Sequence, residues 1–301
     1  MTNHRHSKPG SRAVRLWLLA ATALPALLSG APGTGSPLGA VARASTAEIE
    51  SLVDPQMDAR IEELLSRGRI VRTERTRLGV TEPLRVWVED RGETISDCFK
   101  YVDLQSKGIT RVRGGSTELN FTDRHIYDQA AYRLDRELGL NMVPVAVSRK
   151  VRGLDGTLVQ WLDDVADETQ RLEQSLPPQV LARIHRRKLT MLVFDALIDN
   201  IDRNAGNLLY TRGNWDLYLI DNTRAFRTQP KLRESFLERP VKLPRPFYDS
   251  LQQLNEPRLR QLLKGILSKV QIKALLARRD LIVDHVEAAR RLQGDAEIFL
   301  P

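Results

Sequence analysis

The 301-residue sequence predicts an α+β fold of two lobes, a small antiparallel sheet lobe carrying one helix and then a helical carboxy-terminal lobe. Three observations predict it. Between Leu84 and Leu162, short strand-like runs are separated by turn residues and interrupted by a single helical stretch. From Pro177 onward, apolar residues recur mostly at helical spacing. At the centre, Met191–Arg227 breaks from an apolar helical run into the polar turn Asn200-Ile-Asp-Arg-Asn-Ala-Gly-Asn207, followed by the apolar runs Leu208–Tyr210 and Leu217–Ile220 and then Asp221.

Residues 2–15 are polar and carry Arg5, Lys8, Arg12 and Arg15; Leu16–Leu28 is an apolar run broken by Pro25, and a small-residue stretch ends in Ala42-Arg-Ala44. This is the pattern of a secretory signal peptide over residues 1–44, and the apolar run is short for a span, which needs about 20 residues. Cleavage after Ala44 is expected, with an uncleaved amino-terminal anchor as the alternative. No cysteine closely follows the run, which argues against a lipoprotein. The leader holds five Lys or Arg and no acid, so its loss takes the formal charge from +8 to +3. What remains is mixed charge on helix faces, and no nucleic-acid partner is expected. The single cysteine, Cys98, excludes an internal disulfide and a cysteine-based metal site.

In chain order, Thr46–Arg69 reads as helical, with Pro55 dividing it, inside a helical extension spanning residues 45–80. The sheet lobe is expected over 81–165. Leu84–Val88 and Ile95–Val102 are strands around the turn Glu89–Glu93, and the second contains Phe99-Lys100. Gly114-Gly115 reads as a surface loop. Tyr127–Leu140 is a helix with Ala130, Ala131, Leu134 and Leu138 as its buried stripe. A hairpin follows, Val143–Val151 and Thr157–Leu162, with Asp155-Gly156 as its turn signal.

The helical lobe is expected over 166–301. Pro177 opens the long helix that runs into the central loop, and His185, Arg186, Arg187 and Lys188 read as a solvated basic face. Beyond Pro230 the helices are Lys231–Glu238, Pro246–Leu254, Pro257–Ser268 and Gln271–Leu292. Their core stripes are Leu259, Leu262, Leu263, Ile266 and Leu267, then Leu275, Leu276, Leu281, Ile282, Val286 and Ala289.

The chemistry concentrates in the central stretch. Asp202 and Asn207 are five residues apart, and Asp221 lies fourteen beyond Asn207. Hard oxygens from an Asn and an Asp suit Mg2+, which keeps waters and nucleotide phosphates as its other ligands, while a separate carboxylate can take a hydroxyl proton. Each residue alone is also an ordinary turn residue. The ordered set is what points to phosphate and metal.

Met191–Arg227 resembles the catalytic region of atypical kinases that share a D-R-N-x-x-N loop, an apolar strand and I-D-N: the secretory-pathway casein-kinase group, the phosphatidylinositol 3/4-kinase-like bacterial proteins and the HipA-type toxin kinases. Thr223 stands where their pattern has glycine. Upstream, Tyr127–Leu140 is similar to the secretory-kinase helix whose leading acid pairs with the phosphate-binding lysine, and Asp128 occupies that acid's position. The resemblance runs from about Leu84 to about Arg227. It implies a protein-kinase-like fold, Asp202 as catalytic base, Asn207 and Asp221 as metal ligands, and Lys100 with Asp128 on the phosphates of ATP with Mg2+ or Mn2+.

The expected function is therefore an exported phosphotransferase with nucleotide as one partner and an unidentified protein, lipid or small-molecule acceptor as the other. No stable membrane span is expected once the signal is cleaved. A nucleotide-binding pseudokinase or protein-interaction scaffold is the alternative, and transfer of AMP in place of phosphate stays open.

Overall fold

The computed structural model describes residues 55–76, 83–111 and 117–300. The expected signal peptide and its cleavage site, the part of the first helix before Pro55, and Gly114-Gly115 lie outside the described residues.

The sheet lobe begins with α1 (Pro55–Arg67) and β1 (Arg69–Arg75), then β2 (Leu84–Asp90) and β3 (Glu93–Lys100). Two small antiparallel ribbons follow, β4 (Asp103–Gln105) with β7 (Thr122–Arg124) and β5 (Ile109–Arg111) with β6 (Thr117–Leu119). The helix α2 (Ile126–Glu137) comes next, and β8 (Ala146–Val151) and β9 (Leu154–Gln160) complete a five-stranded antiparallel sheet in the order β1-β2-β3-β9-β8. Cross-strand partners share a face. Phe99 therefore sits with Leu84 and Leu158 on one face, and Lys100 with Thr157 on the other. Arg149 donates to the carbonyls of Leu65, Ser66 and Gly68, which ties the α1 end to the Phe99 face.

Two local expectations are corrected here. Arg69–Arg75, counted with the helical extension, is the edge strand of the sheet; all its residues are at least partly exposed, so the alternation that marks a half-buried strand is missing. The hairpin turn lies at Arg152-Gly153, both with positive φ, and not at Asp155-Gly156. Gly156 is inside β9, where an added Cβ would fall 2.4 Å from the Phe99 ring. Its role is close approach, not turning.

The helical lobe opens with β10 (Val165–Asp167) and α3 (Glu168–Leu172), the latter started by a capping box between Asp167 and Gln170. The long helix α4 (Pro178–Ile198) leads through a 3-10 turn, Ala205–Asn207, to β11 (Leu208–Thr211) and β12 (Leu217–Leu219), which pair antiparallel beside β10. Then come α5 (Glu234–Leu237), β13 (Leu243–Pro244), α6 (Arg245–Gln253), α7 (Glu256–Leu262), α8 (Lys269–Gln293), α9 (Asp295–Ile298) and β14 (Phe299–Leu300). The expected helix ending at Ser268 stops at Leu262, before a turn in which Gly265 has φ 78°. Of the two stripes, Leu281 is exposed and the rest are at least partly buried. Nor is the basic face of α4 merely solvated: Arg187 donates to the carbonyls of Leu140 and Asn141, and Lys188 pairs with Glu168.

Candidate active site

Four elements deliver the site. α4 ends because Asp199 turns left-handed at φ 50°, a conformation Asp tolerates better than most residues. The loop beyond it is stitched by its own short polar side chains. Asp202 N donates to Asn200 Oδ1 at 3.0 Å, Gly206 N to Asn204 Oδ1 at 2.9 Å, and Asn207 Nδ2 to Asp202 O at 2.8 Å. Pairing of Leu208 with Leu219 and donation from Ile220 N to Asn207 O at 3.1 Å then bring Asn207 beside the residue that precedes Asp221.

From the sheet lobe, β3 carries Lys100 opposite Thr157. Thr157 is fully buried; it accepts from Gln129 Nε2 at 2.6 Å and donates to His125 O at 3.0 Å, which anchors the start of α2 next to the lysine. Asp128, one turn into that helix, is thereby in reach. Lys100 Nζ donates to Asp128 Oδ2 at 2.8 Å and to Asp221 Oδ1 at 3.0 Å. Burial works against the lysine's charge, but the two carboxylates outweigh it and its pKa moves up; the same lysine holds Asp221 below the usual carboxylate range.

Asp128 is buried and doubly used, because its Oδ1 accepts from Asn222 N at 2.8 Å and from Asn222 Nδ2 at 3.3 Å. Asp221 has φ 58°, so the left-handed turn falls on the acid itself. Thr223, standing where the resembling families have glycine, has no positive φ; its hydroxyl donates to Asp221 Oδ1 at 3.2 Å and its carbonyl accepts from Arg124 N at 2.9 Å. Glycine is not needed there.

Sequence reasoning missed a clamp beneath these residues. Arg203 forks onto Asp195, with Nε and Nη2 each 3.0 Å from a carboxylate oxygen, and also donates to Ile220 O at 2.6 Å and Asn222 Oδ1 at 2.7 Å. Asp195 is a lone acid on an apolar stretch of α4, which was the available signal, since a charge is almost never buried without a partner. Asp202 is partly buried, its side chain 42% accessible, with Arg224 Nη1 3.9 Å from Oδ2. Partial burial nevertheless raises its pKa against the opposing charge of Arg224.

The arrangement fits a divalent cation. Asn207 commits its Nδ2 to the loop, which leaves Oδ1, and Asp221 takes its hydrogen bonds on Oδ1, which leaves Oδ2. Two hard oxygens suffice for Mg2+ that keeps water and phosphate ligands. Among the described residues no group of three His, Cys, Asp or Glu could hold a metal ion.

No family model matches the chain, and no curated protein matches it. Solved structures do. The structure of hydra Fam20 with sugar is 17% identical, covers 83% of this chain and 94% of its own, and superposes with a TM-score of 0.59. The Golgi casein kinase with Mn/ADP bound is 15% identical over 82% of this chain and 80% of its own, again with a TM-score of 0.59. The fold is kinase-like.

Proposed function

We propose that this chain is an ATP- and divalent-metal-dependent phosphotransferase acting on an unidentified acceptor. The observation that supports it best is Lys100 Nζ held between Asp128 and Asp221 at 2.8 and 3.0 Å. A cation fixed at that point can neutralise phosphate charge, and Asp128 keeps it aimed. Asn207 and Asp221 would hold Mg2+ or Mn2+, which supplies charge neutralisation on the phosphates when bound. Asp202, outside the lysine pair, would orient an acceptor hydroxyl and take its proton. The Mn/ADP bound in the Golgi casein kinase is consistent with this reading.

The leader-like residues 1–44 support export as part of the proposal, and among the described residues no helix is long and apolar enough to cross a membrane. The acceptor is a protein, lipid or small-molecule hydroxyl.

The test uses the full chain with ATP, Mg2+ or Mn2+, and chelator. Nucleotide is expected to raise the melting temperature only with the cation present; at about a hundred times the dissociation constant, linkage predicts about 2.7 kcal/mol. Labelled ATP with protein, lipid and sugar acceptors then reads turnover. Equal stabilisation in chelator would remove the metal role of Asn207 and Asp221, and metal-dependent binding without turnover on any acceptor would leave a nucleotide-binding scaffold.

A further inference from the structure

In the proposed reaction Lys100 puts positive charge on the donor phosphates, while the phosphoryl group moves toward an oxygen held by a carboxylate, Asp202. Charge on the moving group has to be met on the acceptor side as well. The charged groups that act most strongly on Asp202 are Arg224, Asp221, Asp123 and Glu118, and of these Arg224 is the one cation.

Arg224 is held in place from the sheet lobe. The left-handed turn at Asp221 and the donation from Ala225 N to Asn222 O at 3.1 Å bring Arg224, three residues beyond Asp221, to the side of Asp202. Its Nη2 bonds Glu118 Oε2, the other oxygen of Glu118 takes Arg227, and the guanidinium carbon lies 5.2 Å from the centre of the Phe121 ring. Nε is buried, so Nη1 is the part of the fork left for a ligand. Among the described residues Nη1 makes no hydrogen bond; it keeps accessible surface and stops 3.9 Å from Asp202 Oδ2, too far to bond it. An arginine serving only as the partner of Asp202 would close that gap. Here Glu118 and Phe121 hold it back, and both hydrogens of Nη1 stay open to a third group.

An acceptor oxygen bonded to Asp202 at about 2.7 Å can sit beside Nη1, and a phosphoryl group joining it brings a nonbridging oxygen within hydrogen-bond reach. We infer that Arg224 is a further catalytic residue of the proposed phosphotransfer, its Nη1 donating to a nonbridging oxygen of the phosphoryl group in transit. In that step a lone pair of the acceptor oxygen forms the new P–O bond. The bond from the γ-phosphorus to the β,γ-bridging oxygen breaks with its electrons passing to ADP, the acceptor proton goes to Asp202, and Arg224 gives up no proton. Glu118 is a positioning residue, since it fixes the fork and touches no reacting atom. The contact forms as the group moves, so it lowers the barrier and adds little to the binding of ATP. The inference rests on the phosphotransfer reading.

Calorimetry on the full chain with Mg2+, comparing ADP alone with ADP plus aluminium fluoride as a mimic of the phosphoryl group in flight, tests it without an identified acceptor. The parent should bind ADP at least about tenfold more tightly with aluminium fluoride present, and Arg224→Gln should lose that gain while keeping the metal-dependent ATP melting shift. Arg224→Lys, which keeps a charge for Glu118 and so guards against a folding defect, should lose most of the gain too. Turnover of labelled ATP should fall at least about 100-fold in Arg224→Ala, and added guanidinium ion should restore part of it. The inference is overturned if aluminium fluoride adds nothing in the parent, if both the Gln and Lys variants keep the gain, or if they lose the ATP shift together with it. A parent with no metal-dependent ATP shift would overturn the phosphotransfer reading itself, and this inference with it.

Discussion

Arg203 and Asp195 close a two-point ion pair, both N–O distances 3.0 Å, with side chains only 8% and 11% exposed. The same guanidinium reaches Ile220 O and Asn222 Oδ1, so one residue joins α4, the loop carrying Asp202 and the strand end carrying Asp221. A planar fork can do this, and an ammonium cannot.

Arg203→Ala leaves Asp195 buried and charged without its partner. Breaking such a pair costs about 3–5 kcal/mol, and this loss is expected as a lower urea midpoint for the full chain. Arg203→Lys should restore part of the stability but little of the metal-dependent ATP shift. A variant as stable as the parent would show that the clamp is not structural.

Asp128→Ala and Lys100→Ala are each expected to weaken nucleotide binding or turnover by at least about tenfold, since a misplacement of about 1 Å can cost on the order of 100-fold. The double change should cost little more than either alone, because the two act as one unit. If Asp128 served only the helix dipole, its loss would cost about 0.3–1 kcal/mol of stability and leave nucleotide affinity alone. That result would sink the pairing.

Asp202→Ala should lower turnover on the order of 100- to 10,000-fold and keep the metal-dependent ATP shift, whereas Asp221→Ala should lose both. A base works deprotonated. Burial raises the Asp202 pKa, so turnover should fall, as pH is lowered, at a value above the usual carboxylate figure of about 3.9. Arg224 opposes that shift, so Arg224→Gln should move the acid limb to higher pH. An unmoved limb would mean that Asp202 does not set it.

Asp97, on β3, is fully buried, and burial pushes its pKa up to about 8 against the opposing effect of the Trp161 backbone amide. The folded chain then holds a proton that the unfolded chain releases near pH 4, so this group's contribution is present below about pH 4 and is lost as pH rises to about 8. Asp97→Asn should flatten that fall and exceed the parent in stability above about pH 8, measured by urea unfolding across the range. Parallel profiles for the two proteins would place the carboxyl's proton balance elsewhere.

How much of this was legible follows from how far each feature depends on neighbours. The spacing of Asp202, Asn207 and Asp221 was readable because helix, tight loop and short hairpin are local, and local order places residues close in sequence close in space. Lys100 could be put on a strand and Asp128 in the first turn of a helix by periodicity alone, although that strand ends at Lys100 and not at Val102. The edge strand Arg69–Arg75 could not be read, since pairing with β2 and not its own pattern makes it a strand. Gly156 looked like a turn because the Phe99 ring that excludes a Cβ there comes from another strand. Composition and period determined the two lobes and the order of their elements. Packing alone decided that residues 121 positions apart, Lys100 and Asp221, lie 3.0 Å apart, and that Asp199 Oδ2 is buried without a hydrogen-bond donor. Those relationships depend on burial, which removes water as the competing partner and makes each remaining contact decisive.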